Sequence, residues 1–468
     1  MGLLYTNKIA LSFMRSAQVL QGAHMDFPAV LQWIRDLNER THCQVRKIPF
    51  AELKGWRFTD NRSALVHESG KFFSIEGWRI ESTWDHRKHW DQPLINQAEV
   101  GYLGFLVQEF DGVLHFLVQG KIEPGNSNVV QLSPTLQATR SNYTQVHGGK
   151  KPPYLEYFQS AKPHQILLDQ LQSEQGSRFL GKRNRNIIIK VEEPVPVLEN
   201  FCWVTLGQLK ALMANDNIVN MDSRTVIAGI HYGCLSDYGG GQHPAPFCSS
   251  MLDAANALHS CEELLSQIIH HKSVFDLHRQ KIPLAEMKGW CFDTATIQHS
   301  EEAYFKVIAV DVSIEGREVQ HWTQPMIEPA SSGLCALIGK EINGVLHFAF
   351  QIKSEAGNHD QFEFAPTVQM LEGYDLEGIP IDHNPFVDFV QSCPQQAFYF
   401  DAIQAEEGGR FYRDANRNCI LLADASFPDD LPEGFLWLTL QQVLDLMRFN
   451  NFFNIQARSL IAAIRLDS

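Results

Sequence analysis

Two segments of this chain, 234 residues apart, are nearly identical. Residues 47–56 read KIPFAELKGW and residues 281–290 read KIPLAEMKGW, so eight of ten positions match and the other two exchange one apolar residue for another. Further pairs recur in the same order at offsets of 232 to 234: HWDQPLI (89–95) with HWTQPMI (321–327), DGVLHF (111–116) with NGVLHF (343–348), SPTLQ (133–137) with APTVQ (365–369), RFLGKRNRN (178–186) with RFYRDANRN (410–418), and FCWVTLGQLKALM (201–213) with FLWLTLQQVLDLM (435–447). Because solenoid units run about 20–50 residues, a period this long indicates a tandem duplication of one domain.

The duplication divides the 468 residues into two domains of ordinary size. The segment after the first copy is rich in glycine and proline, which break regular structure. The apolar start of the chain is interrupted by Lys8 and Arg15 and is followed by no cleavage-site pattern, so we interpret it as a loose extension and not as a signal peptide. The predicted boundaries are 1–26 for the N-terminal extension, 27–231 for the first copy, 232–260 for a linker and 261–464 for the second copy.

The cysteine content, the charge and the missing motifs exclude several classes of protein. The nine cysteines are odd in number, widely spaced and without a C-x-x-C pair, which indicates free thiols in a reducing cytoplasm and no zinc cluster. A formal net charge of −15 disfavours nucleic acid, which binds basic surfaces. No apolar run reaches the roughly 18 residues of a membrane span. Dinucleotide, P-loop, zincin and serine-esterase signatures are also absent from the sequence.

Turn and helix-start signals occur at matching places in both copies. Residues 111–112 (Asp-Gly) and 343–344 (Asn-Gly) each separate two β-prone runs, which predicts a hairpin with a type I′ turn. Thr205 and Thr439 each precede an apolar-periodic segment and have glutamine three residues on, which predicts a capped helix start. Strand patterns outnumber helix patterns, so the predicted class is α+β, a mixed or antiparallel sheet with flanking helices.

The strand that follows the first hairpin carries a row of polar side chains. Alternation along the strand places His115, Gln119, Lys121 and Glu123 on one face, and the second copy has the same residue types at the matching positions. Such a row is typical of a polar pocket lining. The solvated outer face of an antiparallel sheet is the alternative interpretation.

The segment after this strand, residues 121–158, is crowded with hydrogen-bonding groups. Its glycines and prolines permit tight backbone approach to a ligand. An ordinary polar surface loop is the alternative. The candidate ligand-binding residues here are Gln131, Ser133, Thr135, Gln137, Arg140, Asn142 and Tyr143.

Arginines and tryptophans supply candidate contacts for a nucleoside diphosphate. The guanidinium fork matches phosphate oxygens, and an indole ring can stack on a base or sugar. A charged hairpin turn for the arginines and a core position for the tryptophans are the alternatives. The candidates are Arg178 and Arg185 in the first copy, Arg410 and Arg417 at the matching positions of the second, and the tryptophans Trp56 and Trp90.

Several longer motifs are more specific than these local patterns: FFSIEGWRI (72–80), HWDQPLINQAEVGYLGF (89–105), GVLHFLVQGKIEPGN (112–126), QLSPTLQATRSNY (131–143) and YLEYF (154–158). With them the chain resembles the NDP-hexose 2,3-dehydratases of deoxysugar biosynthesis from about residue 27 to residue 464. The resemblance implies a tandem duplication of a Nudix-like mixed-sheet domain, a homodimer, and a thymidine-diphosphate 4-keto-6-deoxyglucose substrate. It does not imply the hydrolase activity of Nudix enzymes, because their metal-binding G-x5-E-x7-R-E-x-x-E-E pattern is absent from the sequence.

The reaction that the resemblance implies needs no metal and no organic cofactor. The C4 ketone acidifies the C3 hydrogen, a base removes it, the C2 hydroxyl leaves as water, and the enol becomes a 3,4-diketo-2,6-dideoxy sugar. Lys121 and Glu123, two apart on one strand face, are the candidate catalytic residues, with Tyr143 as the third. The expected substrate-binding residues are Trp56, Trp90, Gln119, Asn126, Gln131, Ser133, Thr135, Gln137, Arg140, Asn142, Arg178, Arg185 and Arg410. The expected residues of a second, non-catalytic pocket are Lys353, Glu355, Thr367, Gln369 and Arg417.

The two copies differ in charge where the diphosphate would bind. Residues 131–158 carry a formal charge of +2, whereas the matching residues 363–390 carry −6. Uncompensated like charge is costly in a partly dry pocket, so the sequence predicts catalysis in the first copy. The resemblance also implies a 3-ketoreductase that consumes the diketone. A non-catalytic nucleotide-sugar binding protein and a sugar-nucleotide ketoisomerase or epimerase remain open as alternatives.

Overall fold

The computed structural model of the chain describes residues 7–139, 151–234, 246–252, 255–315, 320–371 and 384–466. Its helices in the first half are α1 (Asn7–Gln18), α2 (Phe27–Arg40), α3 (Leu155–Gln159), α4 (Leu206–Leu212) and α5 (Met221–Ala228). Those in the second half are α6 (Pro246–Leu252), α7 (Cys261–Val274), α8 (Val387–Ser392), α9 (Leu440–Met447) and α10 (Ile455–Ala463). Short 3-10 turns lie at Phe50–Glu52, Asp60–Arg62, Pro163–Gln165, Leu284–Glu286 and Gln395–Ala397.

Each copy contributes twelve described strands in the same order. The first copy has β1 (Cys43–Ile48), β2 (Trp56–Phe58), β3 (Ala64–His67), β4 (Ser74–Ser82), β5 (His89–Asn96), β6 (Gly101–Phe110), β7 (Val113–Ile122), β8 (Val130–Ser133), β9 (Leu136–Ala138), β10 (Ile166–Ser173), β11 (Arg183–Lys190) and β12 (Phe201–Thr205). The second has β13 (Leu277–Ile282), β14 (Trp290–Phe292), β15 (Thr296–His299), β16 (Phe305–Ile314), β17 (His321–Pro329), β18 (Gly333–Ile342), β19 (Val345–Ser354), β20 (Phe362–Pro366), β21 (Val368–Leu371), β22 (Phe398–Ala405), β23 (Ala415–Leu422) and β24 (Phe435–Thr439).

These strands form a large and a small sheet in each copy. The large sheet has the order β10-β11-β6-β7-β12, with β8 paired to β7 and β9 to β6; its counterpart runs β20-β19-β18-β23-β22, with β21 paired to β18 and β24 to β19. The β6–β11 and β18–β23 pairs are parallel and the neighbouring pairs antiparallel. The predicted α+β class with mixed sheets and two repeated units is therefore confirmed.

The two copies exchange their first strands. In the small sheets, β1 of the first copy pairs antiparallel with β16 of the second, and β13 of the second pairs with β4 of the first. The Lys-Ile pair that ends both exchanged strands aligns with residues of the opposite copy, as in Lys47 opposite Val310 and Lys281 opposite Trp78. Backbone hydrogen bonds therefore join the two halves of the chain in both small sheets.

The predicted turns and helix starts are confirmed. Both residues of the 111–112 and 343–344 turns have positive φ, between 51° and 77°, as a type I′ turn requires. The Thr205 hydroxyl accepts from the Gln208 amide N–H at 3.0 Å, and the Gln208 side chain accepts from the Thr205 N–H at 2.9 Å. The same reciprocal capping box opens α9.

The part of the N-terminal extension that the structure describes, from residue 7 onward, packs against the core. Phe13 on α1 is fully buried, and the Ser16 hydroxyl donates to the Leu114 carbonyl at 2.6 Å while accepting from the Leu206 N–H at 2.9 Å. Within the predicted linker, α6 repeats this arrangement, because Ser250 donates to the Leu346 carbonyl. Helices α1 and α6 therefore take matching places ahead of the two copies.

Apolar packing unites the two copies. One core cluster contains Phe116 and Leu209 from the first copy together with Phe348 and Leu444 from the second. A second apolar cluster lies between the two small sheets, and the exchanged strands contribute Ile48 and Ile282 to it. No helix in the described part of the chain is long and apolar enough to cross a membrane.

Candidate active site

Lys121 and Glu123, at the end of β7, form an ion pair with 3.3 Å between Nζ and Oε1. Only 15% of the lysine side chain and 8% of the glutamate side chain are exposed. The Gln137 amide donates to Glu123 Oε1 at 2.9 Å, and the Asn220 amide donates to Gln137 Oε1 at 3.2 Å. Since Asn220 also caps α5, a helix start holds the glutamate in place through one intervening side chain.

The second copy repeats this chain of amides. Asn454 caps α10 and donates to Gln369 Oε1 at 2.7 Å, and Gln369 donates to Glu355 Oε1 at 3.0 Å. Lys353 Nζ lies 3.3 Å from the Gln369 carbonyl oxygen. The predicted pairs Lys121–Glu123 and Lys353–Glu355 therefore occupy equivalent, enclosed positions.

Each site is bounded by a loop from the other copy. The Gly125 N–H donates to the Gly408 carbonyl at 2.7 Å, and the Gly357 N–H donates to the Gly176 carbonyl at 2.6 Å. The approach is so close that a Cβ at Gly125 would overlap the Phe411 carbonyl, so glycine is required there. The site in each copy is thus built by both copies.

The arginines of these loops cross in the same way. The Arg410 guanidinium lies 4.2 Å from the ring centre of Phe73, which belongs to the first copy, and Arg178 lies 4.1 Å from that of Phe305, which belongs to the second. Arg410 also donates to Gln97 Oε1 at 3.2 Å. The two predicted phosphate-binding arginines therefore face the sites opposite to their own copies.

A cavity of about 1080 Å³ surrounds the Lys353–Glu355 pair. This volume exceeds the roughly 300–1,000 Å³ of common ligand pockets, so it can hold a sugar nucleotide. The lining includes Trp90 and Arg178 from the first copy, together with Gln369 from the second. We expected Trp90 and Arg178 beside Lys121; the strand exchange and the crossed loops place them with Lys353 instead.

Three hydroxyls predicted to bind ligand form hydrogen bonds with the protein backbone. Thr135 Oγ1 accepts from the Leu106 N–H at 2.9 Å and donates to the Leu117 carbonyl, where β6 and β7 separate. Thr367 repeats this bridge in the second copy. Ser133 is fully buried and donates to the Pro134 carbonyl at 3.0 Å. These hydrogen bonds favour a structural role for the three hydroxyls, and their assignment to substrate stays a prediction.

The remaining polar candidates lie near the ion pair. Gln131 is the cross-strand neighbour of Lys121, and it is fully buried with its amide donating to Asn128 Oδ1 at 3.0 Å. Asn126 is 8% exposed and donates to the Val129 carbonyl. Gln119 is partly buried on β7.

Two further arginines are held by carboxylates of their own hairpins. Arg185 forms a two-pronged pair with Asp169, at 2.7 and 2.6 Å, and Arg417 forms the same pair with Asp401, at 2.9 Å for both contacts. Neither is among the residues that line the described cavity. The charged-hairpin interpretation explains both.

Trp56, an expected ligand contact, and His115, a member of the polar row, are both buried and hydrogen-bonded to backbone groups. Trp56 is 8% exposed in the core between the small sheets, and its indole N–H donates to the Thr323 carbonyl at 3.2 Å. His115 is buried away from the polar end of β7 and accepts from the Ala23 N–H at 2.9 Å. Burial lowers the His115 pKa. Arg140, Asn142 and Tyr143 lie outside the described residues.

The sequence analysis missed two acidic residues near Glu123. Burial and the charge of Glu123 raise the pKa of Glu407 to about 7, against the opposing effect of Arg410. Burial also raises the pKa of Asp222 well above its ordinary value, with Glu174 and Glu407 adding to it. Aligning the two copies reveals both residues, since glutamines stand at the matching positions. Within the described residues, no group of His, Cys, Asp and Glu is arranged to hold a metal ion.

Comparison with known proteins gives consistent matches. The sequence model of the NDP-hexose 2,3-dehydratase family matches residues 28–230 and 261–464. A protein of Saccharopolyspora spinosa is 44% identical over 440 residues, covering 92% of this chain and 90% of its own, and one of Amycolatopsis orientalis is 41% identical over 466 residues, covering 98% and 94%. A third, from Streptomyces violaceoruber, is 40% identical over 437 residues, covering 92% and 96%. All three are named dTDP-4-dehydro-6-deoxy-alpha-D-glucopyranose 2,3-dehydratases.

Proposed function

The chain belongs to the NDP-hexose 2,3-dehydratase family, and from that premise we propose that it is a lyase that eliminates water across C2 and C3 of dTDP-4-keto-6-deoxyglucose. The product is the 3,4-diketo-2,6-dideoxy sugar nucleotide. The observation that carries the site assignment is the enclosed Lys121–Glu123 ion pair with its amide support. The names of the relatives favour neither a ketoisomerase nor a protein that only binds nucleotide sugars.

The two charges of the pair suit the two halves of the elimination. The Glu123 carboxylate takes the proton from C3, which the C4 ketone has made acidic. The Lys121 ammonium stabilises the negative charge that develops on the C4 oxygen, and the low exposure of the pair strengthens that interaction. The C2–oxygen bond then breaks, and the hydroxyl requires a proton to leave as water.

We place catalysis in the first copy. The positive formal charge of residues 131–158 supports this choice, because the negative charge of residues 363–390 would repel a diphosphate. The cavity around Lys353 and Glu355 then serves as a second, non-catalytic pocket. Arg140, Asn142 and Tyr143 stay proposals for the first site from the motif alone.

Paired substitutions test the assignment. Lys121→Ala or Glu123→Ala should lower kcat by at least about 100-fold, the usual size of a lost acid–base group. Lys353→Ala should lower it by a few-fold at most, because the matching pocket does no chemistry. Loss of one water from dTDP-4-keto-6-deoxyglucose, followed by mass spectrometry, measures turnover. A Lys353→Ala enzyme that is inactive beside an active Lys121→Ala enzyme would reverse the assignment.

The wider setting follows from the same family membership. We propose that each copy is a Nudix-like domain, that two chains form a homodimer, and that the enzyme works in the cytoplasm. The 3,4-diketone is reactive, so a 3-ketoreductase is the enzyme expected to act next. Light scattering of the purified protein tests the dimer.

A further inference from the structure

At two matched positions, the first-copy site has a carboxyl group and the second-copy site has an amide. Both contain a lysine, a glutamate and a supporting glutamine, and both receive an arginine from the other copy. Three residues before that arginine, the first-copy site receives Glu407 whereas the second-copy site receives Gln175. Two residues after the capping asparagine, the first site has Asp222 and the second has Gln456. At these two positions the first site holds carboxyl groups and the second holds amides, whereas opposite the lysine the amide Gln131 of the first copy is matched by Glu363 of the second.

Glu407 reaches the first site on the loop that crosses from the second copy. Its Oε1 accepts from the Gly409 N–H at 3.0 Å, and its Oε2 is shielded from solvent with no hydrogen-bond partner among the described residues. A Cβ placed on Gly409 would collide with Glu407 Oε1 and lie 3.6 Å from Glu123 Oε1. The two carboxyl groups therefore border the same small volume.

Asp222 approaches the same volume from the first turn of α5. It is 3% exposed, and its Oδ1 also has no partner in the described part of the chain. The charged groups that act on it are Glu174, Glu407, Glu123 and Lys121. Its counterpart Gln456 lines the cavity beside Lys353 and Glu355, which shows which way this position faces. An unpartnered buried carboxyl oxygen is costly unless it carries a proton or meets a ligand.

We propose that Glu407 of the second copy is the acid that protonates the leaving C2 hydroxyl in the first-copy site, with Asp222 sharing its proton. This role rests on the proposed dehydration. The proton from C3 passes to Glu123, the C2–oxygen bond breaks, and the hydroxyl leaves as water with the proton of Glu407. When the enol becomes the ketone, C2 takes the proton of Glu123 and the O3 proton returns to Glu407, so both residues end as they began.

The electrostatic surroundings suit an acid at neutral pH. The groups facing Glu407 are Glu123 and Lys121 from β7, Asp222 from α5, Glu174 and Lys182 from the β10–β11 connection, and Arg410 from its own loop. Burial and the neighbouring glutamates raise the Glu407 pKa to about 7. Glu123, in contrast, lies 3.3 Å from the Lys121 ammonium. An acid–base pair requires two titratable groups whose surroundings give them different pKa values.

The test is Glu407→Gln, measured on the full chain with dTDP-4-keto-6-deoxyglucose. Glutamine is tolerated at the matching position, Gln175, so the loop should keep its shape. We expect kcat to fall by about 100-fold with KM nearly unchanged, since the loss is of a transition-state interaction. The parent kcat should decline as pH rises through about 7, where Glu407 loses its proton, and this decline should be missing from the variant. Asp222→Asn should lower kcat in the same direction.

The matched control is Glu363→Gln, which makes the same chemical change at a buried glutamate of the second copy. Its kcat and pH profile should follow the parent. If Glu407→Gln keeps the parent kcat and pH profile while Lys121→Ala is inactive, the role of Glu407 is refuted and the proposed function stands. If Lys121→Ala is active, the proposed site itself is refuted. Inactivation by Glu363→Gln but not by Glu407→Gln would overturn both.

Discussion

Glu363 lies opposite Lys353 across two strands of the second copy, in the position that Gln131 occupies opposite Lys121. It is 1% exposed, and Ser173 donates to its Oε2 at 2.7 Å. Burial raises its pKa to about 7, with Ser173 and Arg458 opposing the rise. A single amide in one copy has therefore become, in the other, a group whose charge depends on pH within the physiological range.

This difference predicts a pH-dependent stability. A carboxyl whose folded pKa is raised contributes stability that is fully present below its unfolded pKa and is lost as pH rises through the folded value. Relative to the parent, Glu363→Gln should therefore gain on the order of 2 kcal/mol in unfolding free energy between pH 5 and pH 8. Urea unfolding at both pH values measures it, with the exposed Glu39→Gln as control. Equal pH dependence in parent and Glu363→Gln would contradict the prediction.

Whether the role of a residue could be predicted from the sequence depends on which group its side chain contacts. Lys121, Glu123 and Gln137 were found from strand alternation and motif, and the structure brings them together. The bridging role of Thr135 was not predicted, because a sequence shows a hydroxyl but not the backbone carbonyl to which it donates. Glu407 was missed because it reaches the site from the other copy, far away in the chain.

Among the elements, α1 shows how much a short helix can contribute. Phe13 is fully buried against the core that includes Phe116, whereas Leu11 on the same helix is 41% exposed. Phe13→Ala should lower the free energy of unfolding by about 3–5 kcal/mol, and Leu11→Ala should change it by no more than about 0.5 kcal/mol. Urea titration of both variants provides the comparison. Similar losses in the two would show that α1 does not pack as described.

Elements with local signals were predictable and those with distant partners were not. The Asp-Gly and Asn-Gly turns and the Thr205 cap require only residues adjacent in the chain. By contrast, β1 and β13 share only their final Lys-Ile pair, and nothing in either one indicates which small sheet it joins. Helix α1 was missed because it shares few residues with α6 beyond the core phenylalanine and the bridging serine.

At the scale of the whole molecule, the exchanged strands make the two halves depend on each other. The first half supplies β1 to the small sheet of the second and receives β13 in return. A protease site inserted within residues 239–241, once cut, should therefore leave two fragments that elute together at the size of the intact chain. Residues 1–240 expressed alone should be insoluble, because β4 then has an unpaired edge. Fragments that separate under native conditions would argue against the exchange.

The crossing of strands and loops also bears on how the two sites came to differ. An arrangement in which each partner completes the other's site is what two copies of a shorter protein would form about a twofold axis, and in such a pair every substitution appears twice. A mutation that sharpened one site for proton transfer would have altered the other identically. Joined in one gene, the halves could drift apart, so that a carboxyl at position 407 no longer obliged position 175 to carry one. Because both halves are encoded in one chain, the two sites could acquire different residues at matched positions.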